Sequence, residues 1–261
     1  MTSVLIAVAL YLLAAGLLVR RVAHGRQPGT SGWGPPAVAA VVMHAFYHVL
    51  TWREVGGADL HFFSAMSLVW LGMAALTVMV GLRGRLGALG VIVFPLSAVA
   101  VTLYANTPHV GHPALDWRLQ LHAWFALLAY ATLAVAALLA VLLWAQERGL
   151  RLREFRNWLR ALPPLTALEF LLFRTITAGF VLLSATLLTG ILFVHDFFAQ
   201  HLIHKSVLSI LSWLVFGALL LGRWRYGWRG ARAVSWTLTA MALLVLAFFG
   251  SKFVLELVLQ R

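Results

Sequence analysis

The chain has 261 residues, 62% of them hydrophobic and only 11% charged, against about 45–50% and about 25% in a soluble domain. With a mean hydropathy of +0.91, this composition excludes a soluble globular protein. The net charge of +12 does not indicate a nucleic-acid partner, because the arginines sit between apolar runs where membrane topology accounts for them.

A spanning helix needs roughly 20 apolar residues, and the sequence predicts eight, at about 3–19, 36–52, 61–81, 87–105, 121–145, 171–194, 205–222 and 233–257. The first has no basic leader and no small-residue cleavage site, and Arg20 and Arg21 follow it, so it reads as a retained helix rather than a signal peptide. Prolines mark the gaps: Pro35 and Pro36 before the second run, Pro108 and Pro113 before the fifth, Pro163 and Pro164 before the sixth. Pro95 lies inside the fourth run, where it is expected to kink the helix. The stretch "ERGLRLREFRNWLRALPPLTALEF" (147–170) reads as a basic amphipathic connector on membrane lipid. The fold class predicted is therefore all-α, a polytopic membrane helix bundle of eight transmembrane helices.

Basic residues set the orientation. Arg20, Arg21 and Arg26, then Arg83 and Arg85, then Arg148, Arg151, Arg153, Arg156, Arg160 and Arg174, and last Arg223, Arg225, Arg229 and Arg232 all fall in the odd-numbered connections. Only Arg53, Arg118, Lys205, Lys252 and Arg261 lie elsewhere. The positive-inside rule places the odd connections in the cytoplasm and both termini outside.

The absence of cysteine removes disulfide, iron–sulfur and thiolate haem chemistry and leaves histidine as the strong nitrogen ligand. Of ten histidines, only His24 falls on the cytoplasmic side of this topology. His44, His48, His61, His109, His112, His122, His195, His201 and His204 fall on the outer side or in the outer half of the membrane. A single interfacial histidine needs no ligand to explain it. His44, about nine residues into its helix, is harder to explain that way, because a buried polar group without a partner is costly. His44 and His48 are four residues apart and share a helix face. No H-E-x-x-H motif, no marked nucleophile and no carboxylate deep in a helix is present, so no catalytic residue is assigned and a non-enzymatic role is expected. Haem suits the set better. Neutral imidazoles ligate its iron, aromatic residues such as Trp117 and Trp124 pack on a porphyrin, and Arg53, Arg118 and Lys205 are outer cations for its propionates.

Three segments carry a resemblance: "LQLHAWFALLAYATLAVAALLAVLL" (119–143), "LPPLTALEFLLFRTITAGFVLLSATLLTGILF" (162–193), and the run from "HKSVLSILSW" to "AFFGSKFV" (204–254). Together they resemble the cytochrome c assembly protein family, and within it the short eight-helix branch of YpjD-type and HemX-like inner-membrane proteins. The resemblance implies a single membrane domain over 1–261, a bacterial inner membrane with periplasmic termini, and haem, taken as b-type. Its partners would be haem and other cytochrome c maturation proteins. His122 matches the family's first periplasmic ligand histidine, before an Ala-Tyr-Ala helix, and Lys205 stands where the family's tryptophan-rich loop ends in Pro-Lys-Glu. The chain departs from the larger members. "HDFFAQHLIH" (195–204) replaces their W-G-x-x-W-x-W-D loop, and no second histidine follows the last matched helix. On this reading His122 and His195 bind the iron from opposite faces, His44 is the next candidate, Lys205 and Arg118 are charge partners, and His109, His112, His201 and His204 are dispensable. Two alternatives stand: an accessory or regulatory membrane protein of the same fold without haem, and a transporter or metal-efflux component using the outer histidines.

Overall fold

A computed structural model of the chain describes residues 1–25, 32–82, 87–109, 116–153, 161–193 and 200–250, the last without the side chains of 200–204. Eight long helices account for nearly all of them: α1 Thr2–Ala23, α2 Gly34–Val55, α3 Phe62–Gly81, α4 Gly90–Ala105, α5 Trp117–Arg151, α6 Leu165–Phe193, α7 Gln200–Tyr226 and α8 Gly230–Val245. No strand occurs among the described residues. The predicted runs recur with their described ends moved outward or inward by a few residues, and the predicted end of the eighth, 251–257, lies outside the described residues. Of the connector only residues 154–160 lie outside the described residues: its start belongs to α5, which runs on to Arg151, and its end to α6, which begins at Leu165.

Seven of the eight are long and apolar enough to cross a membrane. The exception is α2, whose hydropathy is lowered by Pro35, Pro36, His44, Tyr47 and His48. Its 22 residues still span about 33 Å at about 1.5 Å each. Prolines open it, since the first turn has no amide partner to lose. Gly56 closes it at φ 77, the left-handed conformation that glycine adopts without a Cβ penalty. Pro95 sits within α4, which continues through it. Beside it the Ser97 hydroxyl donates to the carbonyl of Val93, at 2.8 Å, and reaches that of Trp70 on α3.

The chain divides into two compact units, Met1–Leu115 with Gly149–Pro164, and Asp116–Arg148 with Leu165–Arg261. In the first, α1 packs on α2 and α4, and α3 on α2 and α4. Trp33, fully buried, lies where a Cβ on Gly81 would approach within 2.7 Å, so the small residue makes room for the ring. Tyr11 and Phe94 stack beside it at 5.9 Å between centroids. In the second unit α7 packs on α6 and α8. The Trp213 indole donates to Ser184 at 2.8 Å and the Ser212 hydroxyl to the carbonyl of Ala240, also at 2.8 Å. Such interhelical hydrogen bonds matter where helices cannot rely on water for association.

Candidate functional site

His122 lies one turn and a half into α5, with its Nδ1 3.2 Å from the hydroxyl of Thr189 on α6. That hydroxyl also donates to the carbonyl of Ala185 at 2.8 Å. An imidazole tied through Nδ1 keeps a fixed ring orientation and offers Nε2 for ligation, the arrangement of most metal-binding histidines. His122 lines a cavity of about 220 Å³ whose other walls include Ala126, Leu183, Leu187 and Phe248, with Lys205 at the start of its span on α7.

The far wall of this cavity is built by an unusual turn. After Val245 the last helix continues as one turn of π-helix, Leu246–Gly250, a feature that often marks functional sites. Tyr130, the aromatic of the Ala-Tyr-Ala segment, is buried and donates its hydroxyl to the Leu244 carbonyl at 2.5 Å. Its ring lies 5.7 Å from those of both Phe248 and Phe249. Tyr130 thereby fixes the turn that carries Leu244, Ala247 and Phe248 to the cavity.

Arg118 does not line this cavity. Its guanidinium lies over the rings of Trp117, at 5.6 Å, and Phe193, at 5.9 Å. His195 and His112 lie outside the described residues, as do the side chains of His201 and His204.

The first unit holds a second concentration of polar groups. His44 and His48 are buried on α2. His44 Nδ1 is 3.2 Å from the Tyr11 hydroxyl and its Nε2 2.9 Å from Ser67 Oγ, while His48 Nε2 is 3.0 Å from the same Ser67 oxygen. A hydroxyl has one proton, so Ser67 donates to one imidazole and accepts from the other. The ring of His48 stacks on Tyr104 at 4.5 Å. Beyond it, His109 Nε2 is 3.1 Å from the Tyr47 hydroxyl.

Asp59 joins this array from the loop between α2 and α3. It is 1% exposed. Its Oδ1 accepts from the His61 backbone N–H at 3.2 Å and from His61 Nδ1 at 2.6 Å, and its Oδ2 lies 3.7 Å from His109 Nδ1. Burial works against its ionisation, but the two His61 hydrogen bonds and the charges on His61 and His109 hold the carboxyl below the usual carboxylate range. Four buried atoms here, His48 Nδ1, Asp59 Oδ2, Tyr104 Oη and His109 Nδ1, have no hydrogen-bond partner. Among the described residues no group of histidines and carboxylates has metal-binding geometry.

Sequence reasoning found His44 and His48 but not the company they keep. His109 appears there only as a dispensable outer histidine. The local signal for Asp59 with His61 was their spacing of two, short enough for a carboxylate to reach both the backbone and the ring. Nothing local brings His109 or Tyr104 to them.

Comparison with known proteins agrees with the segments singled out above. The family model of the cytochrome C assembly protein matches residues 36–259. The inner membrane protein YpjD of Escherichia coli (strain K12) is 30% identical over 257 residues, 95% of this chain and 97% of its own. The cytochrome c biogenesis protein CcsA of Guillardia theta is 25% identical over 250 residues, 85% of this chain and 82% of its own. The CcsA of Parasynechococcus marenigrum is 26% identical over 185 residues, 62% of this chain and 60% of its own. No solved structure matches. A match spanning seven of the eight helices, with a full-length inner-membrane relative, makes this chain a multi-pass inner-membrane member of the cytochrome c assembly protein family.

Proposed function

We propose that the chain is a haem-handling protein and that His122 would ligate the iron of a haem held at the cavity of the second unit. The observation that carries this reading is an imidazole anchored through Nδ1 on Thr189 in the wall of an otherwise mainly apolar cavity that also holds a lysine. The donor set suits haem. Imidazole is a strong neutral ligand for its iron, the apolar wall suits a porphyrin, and Lys205 suits a propionate. Bound haem would supply a redox-active iron. The protein's part is to ligate it, to exclude water with Leu183, Leu187 and Phe248, and to hold the π turn through Tyr130. The cavity of about 220 Å³ is below the roughly 300–1,000 Å³ of sites that enclose a small molecule, so these residues would hold a haem at its edge rather than enclose it. His195 remains the proposed second ligand. Iron ligation by His44 would have to displace its bond to Tyr11 or to Ser67, which favours His122. The names of the CcsA relatives, cytochrome c biogenesis proteins, support a place beside other maturation proteins, as a holder of haem rather than a catalyst.

The test is the absorption spectrum of detergent-purified protein, oxidised and reduced, with haem per protein. A Soret band is expected. His122→Ala and His195→Ala should empty the site or alter the band, because no cysteine can replace the lost ligand, and Lys205→Met should lower occupancy. His201→Ala and His204→Ala should retain full haem. A protein that takes up no haem when haemin is supplied would instead be an accessory protein of the same fold.

A further inference from the structure

A second feature of the second unit, remote in sequence from His122, is a groove of about 740 Å³ along α6 with the end of α7 on its wall. Phe170, Arg174, Val181 and Leu182 line it from α6. The first three recur at intervals of four and seven residues, so they form one stripe on the helix. Phe170 is 53% exposed and Val181 61%, which leaves the stripe open on its outer side. Two guanidiniums stand at one end. That of Arg174 lies 5.6 Å from the centre of the Phe170 ring, and that of Arg223 lies 4.6 Å from the centre of the Phe173 ring. Cation–π contact holds each against the groove wall.

These cations have charge to spare. Arg223 donates one N–H to the Trp228 carbonyl at 3.1 Å, of the five that a guanidinium carries. Among the described residues neither guanidinium has a carboxylate within 4.0 Å. Glu169, the acid closest to Arg174 in sequence, accepts the Gly230 N–H at 3.1 Å. A groove with two guanidiniums in no ion pair at its head and an exposed aliphatic stripe below matches a ligand with an anionic head and an apolar tail. From Arg174 to Leu182 the stripe runs about 12 Å along the helix, and it lies in a span apolar enough to sit in lipid. A water-soluble anion would leave that stripe unused. Basic pockets at the ends of membrane helices are where acidic phospholipid headgroups bind.

We propose that this groove binds one anionic glycerophospholipid, with its phosphate held between Arg174 and Arg223 and an acyl chain lying along Val181 and Leu182. The site is independent of the haem reading. To test it, protein purified in a neutral detergent is titrated with phosphatidylglycerol or with phosphatidylcholine of the same chains, and lipid adducts are counted by native mass spectrometry. Phosphatidylglycerol is expected to bind about tenfold more tightly, and an excess of inorganic phosphate should not displace it. Arg174→Gln with Arg223→Gln should abolish the preference. Arg225→Gln with Arg229→Gln, which removes two charges close in sequence but outside the groove, should keep it. Equal affinity for the two lipids would overturn the proposal. So would a preference that survives in the groove variant, one lost equally in the control variant, or full displacement by phosphate. The comparison of the two lipids on the unsubstituted protein stands even if a variant fails to fold.

Discussion

Asp59 and Lys205 show what a single charged residue costs and does in this chain. Lys205 stands at the entrance of a span and can keep its ammonium at the interface while its stem lies in the apolar cavity wall. Asp59 has no such freedom: it is buried, and its stability rests on His61 and His109. Because its folded carboxyl titrates below the ordinary range, the folded state takes up a proton there less readily than the unfolded chain. The contribution is therefore complete above the unfolded value of about 3.9 and is lost as pH falls through the lower, folded value. Asp59→Asn should cost about 1–3 kcal/mol at neutral pH, the range for leaving a buried polar partner unsatisfied. The gap in melting temperature between the two proteins should narrow below about pH 4. Melting curves in detergent over a pH series check this. A gap that stays constant into strong acid would show that Asp59 is not the titrating group.

At the scale of an element, α6 shows how little of a membrane helix's packing is visible in its own residues. Its run of leucine, threonine and phenylalanine reads as uniformly apolar, yet Gly179 leaves room for the Leu133 side chain of α5. A Cβ there would come within 2.5 Å of Leu133 Cδ2 and 2.6 Å of its Cγ. Small residues let membrane helices meet backbone to side chain, since lipid provides no hydrophobic drive between them. Gly179→Val should destabilise the second unit by about 1–3 kcal/mol, the usual cost of overpacking. Gly217→Ala, whose new Cβ would lie 3.4 Å from the ring of Phe180, should be nearly neutral. Thermal melting of both variants compares them directly, and a Gly179→Val protein as stable as the Gly217→Ala one would refute the close-contact argument. The π turn after α8 teaches the same lesson. "LAFFG" carries no local mark of it, whereas the Leu244 carbonyl taken by Tyr130 does.

For the whole molecule, eight long helices agree with the count from hydropathy, and the alternation of arginines predicts their orientation. The connection after α5 carries the strongest charge, and it is expected on the cytoplasmic side with both termini periplasmic. A periplasmic reporter fused after Arg261 should be active and a cytoplasmic one silent, with the reverse after Arg153. A cytoplasmic signal from the C-terminus would overturn the orientation. Moving one arginine cluster should weaken the bias without unfolding the bundle, because loop charges act on insertion rather than packing.

The number and approximate limits of the helices, the membrane setting and the family were all determined by the sequence. Apolar run length, proline and glycine positions, and the Ala-Tyr-Ala segment are local properties of neighbouring residues. His122 and Lys205 stand at motif positions near the outer ends of their spans, and the fold places both on one cavity. Only the tertiary structure decided that His44 and His48 share Ser67, that Asp59 is buried between His61 and His109, and that Tyr104 stacks on His48. Those residues come from α2, the following loop, α3, α4 and the segment after it. Which of their side chains meet depends on how each helix is rotated against its neighbours. In an almost wholly apolar helix, that rotation is set by close packing around residues such as Gly81 and Gly90 rather than by any polar face the sequence displays.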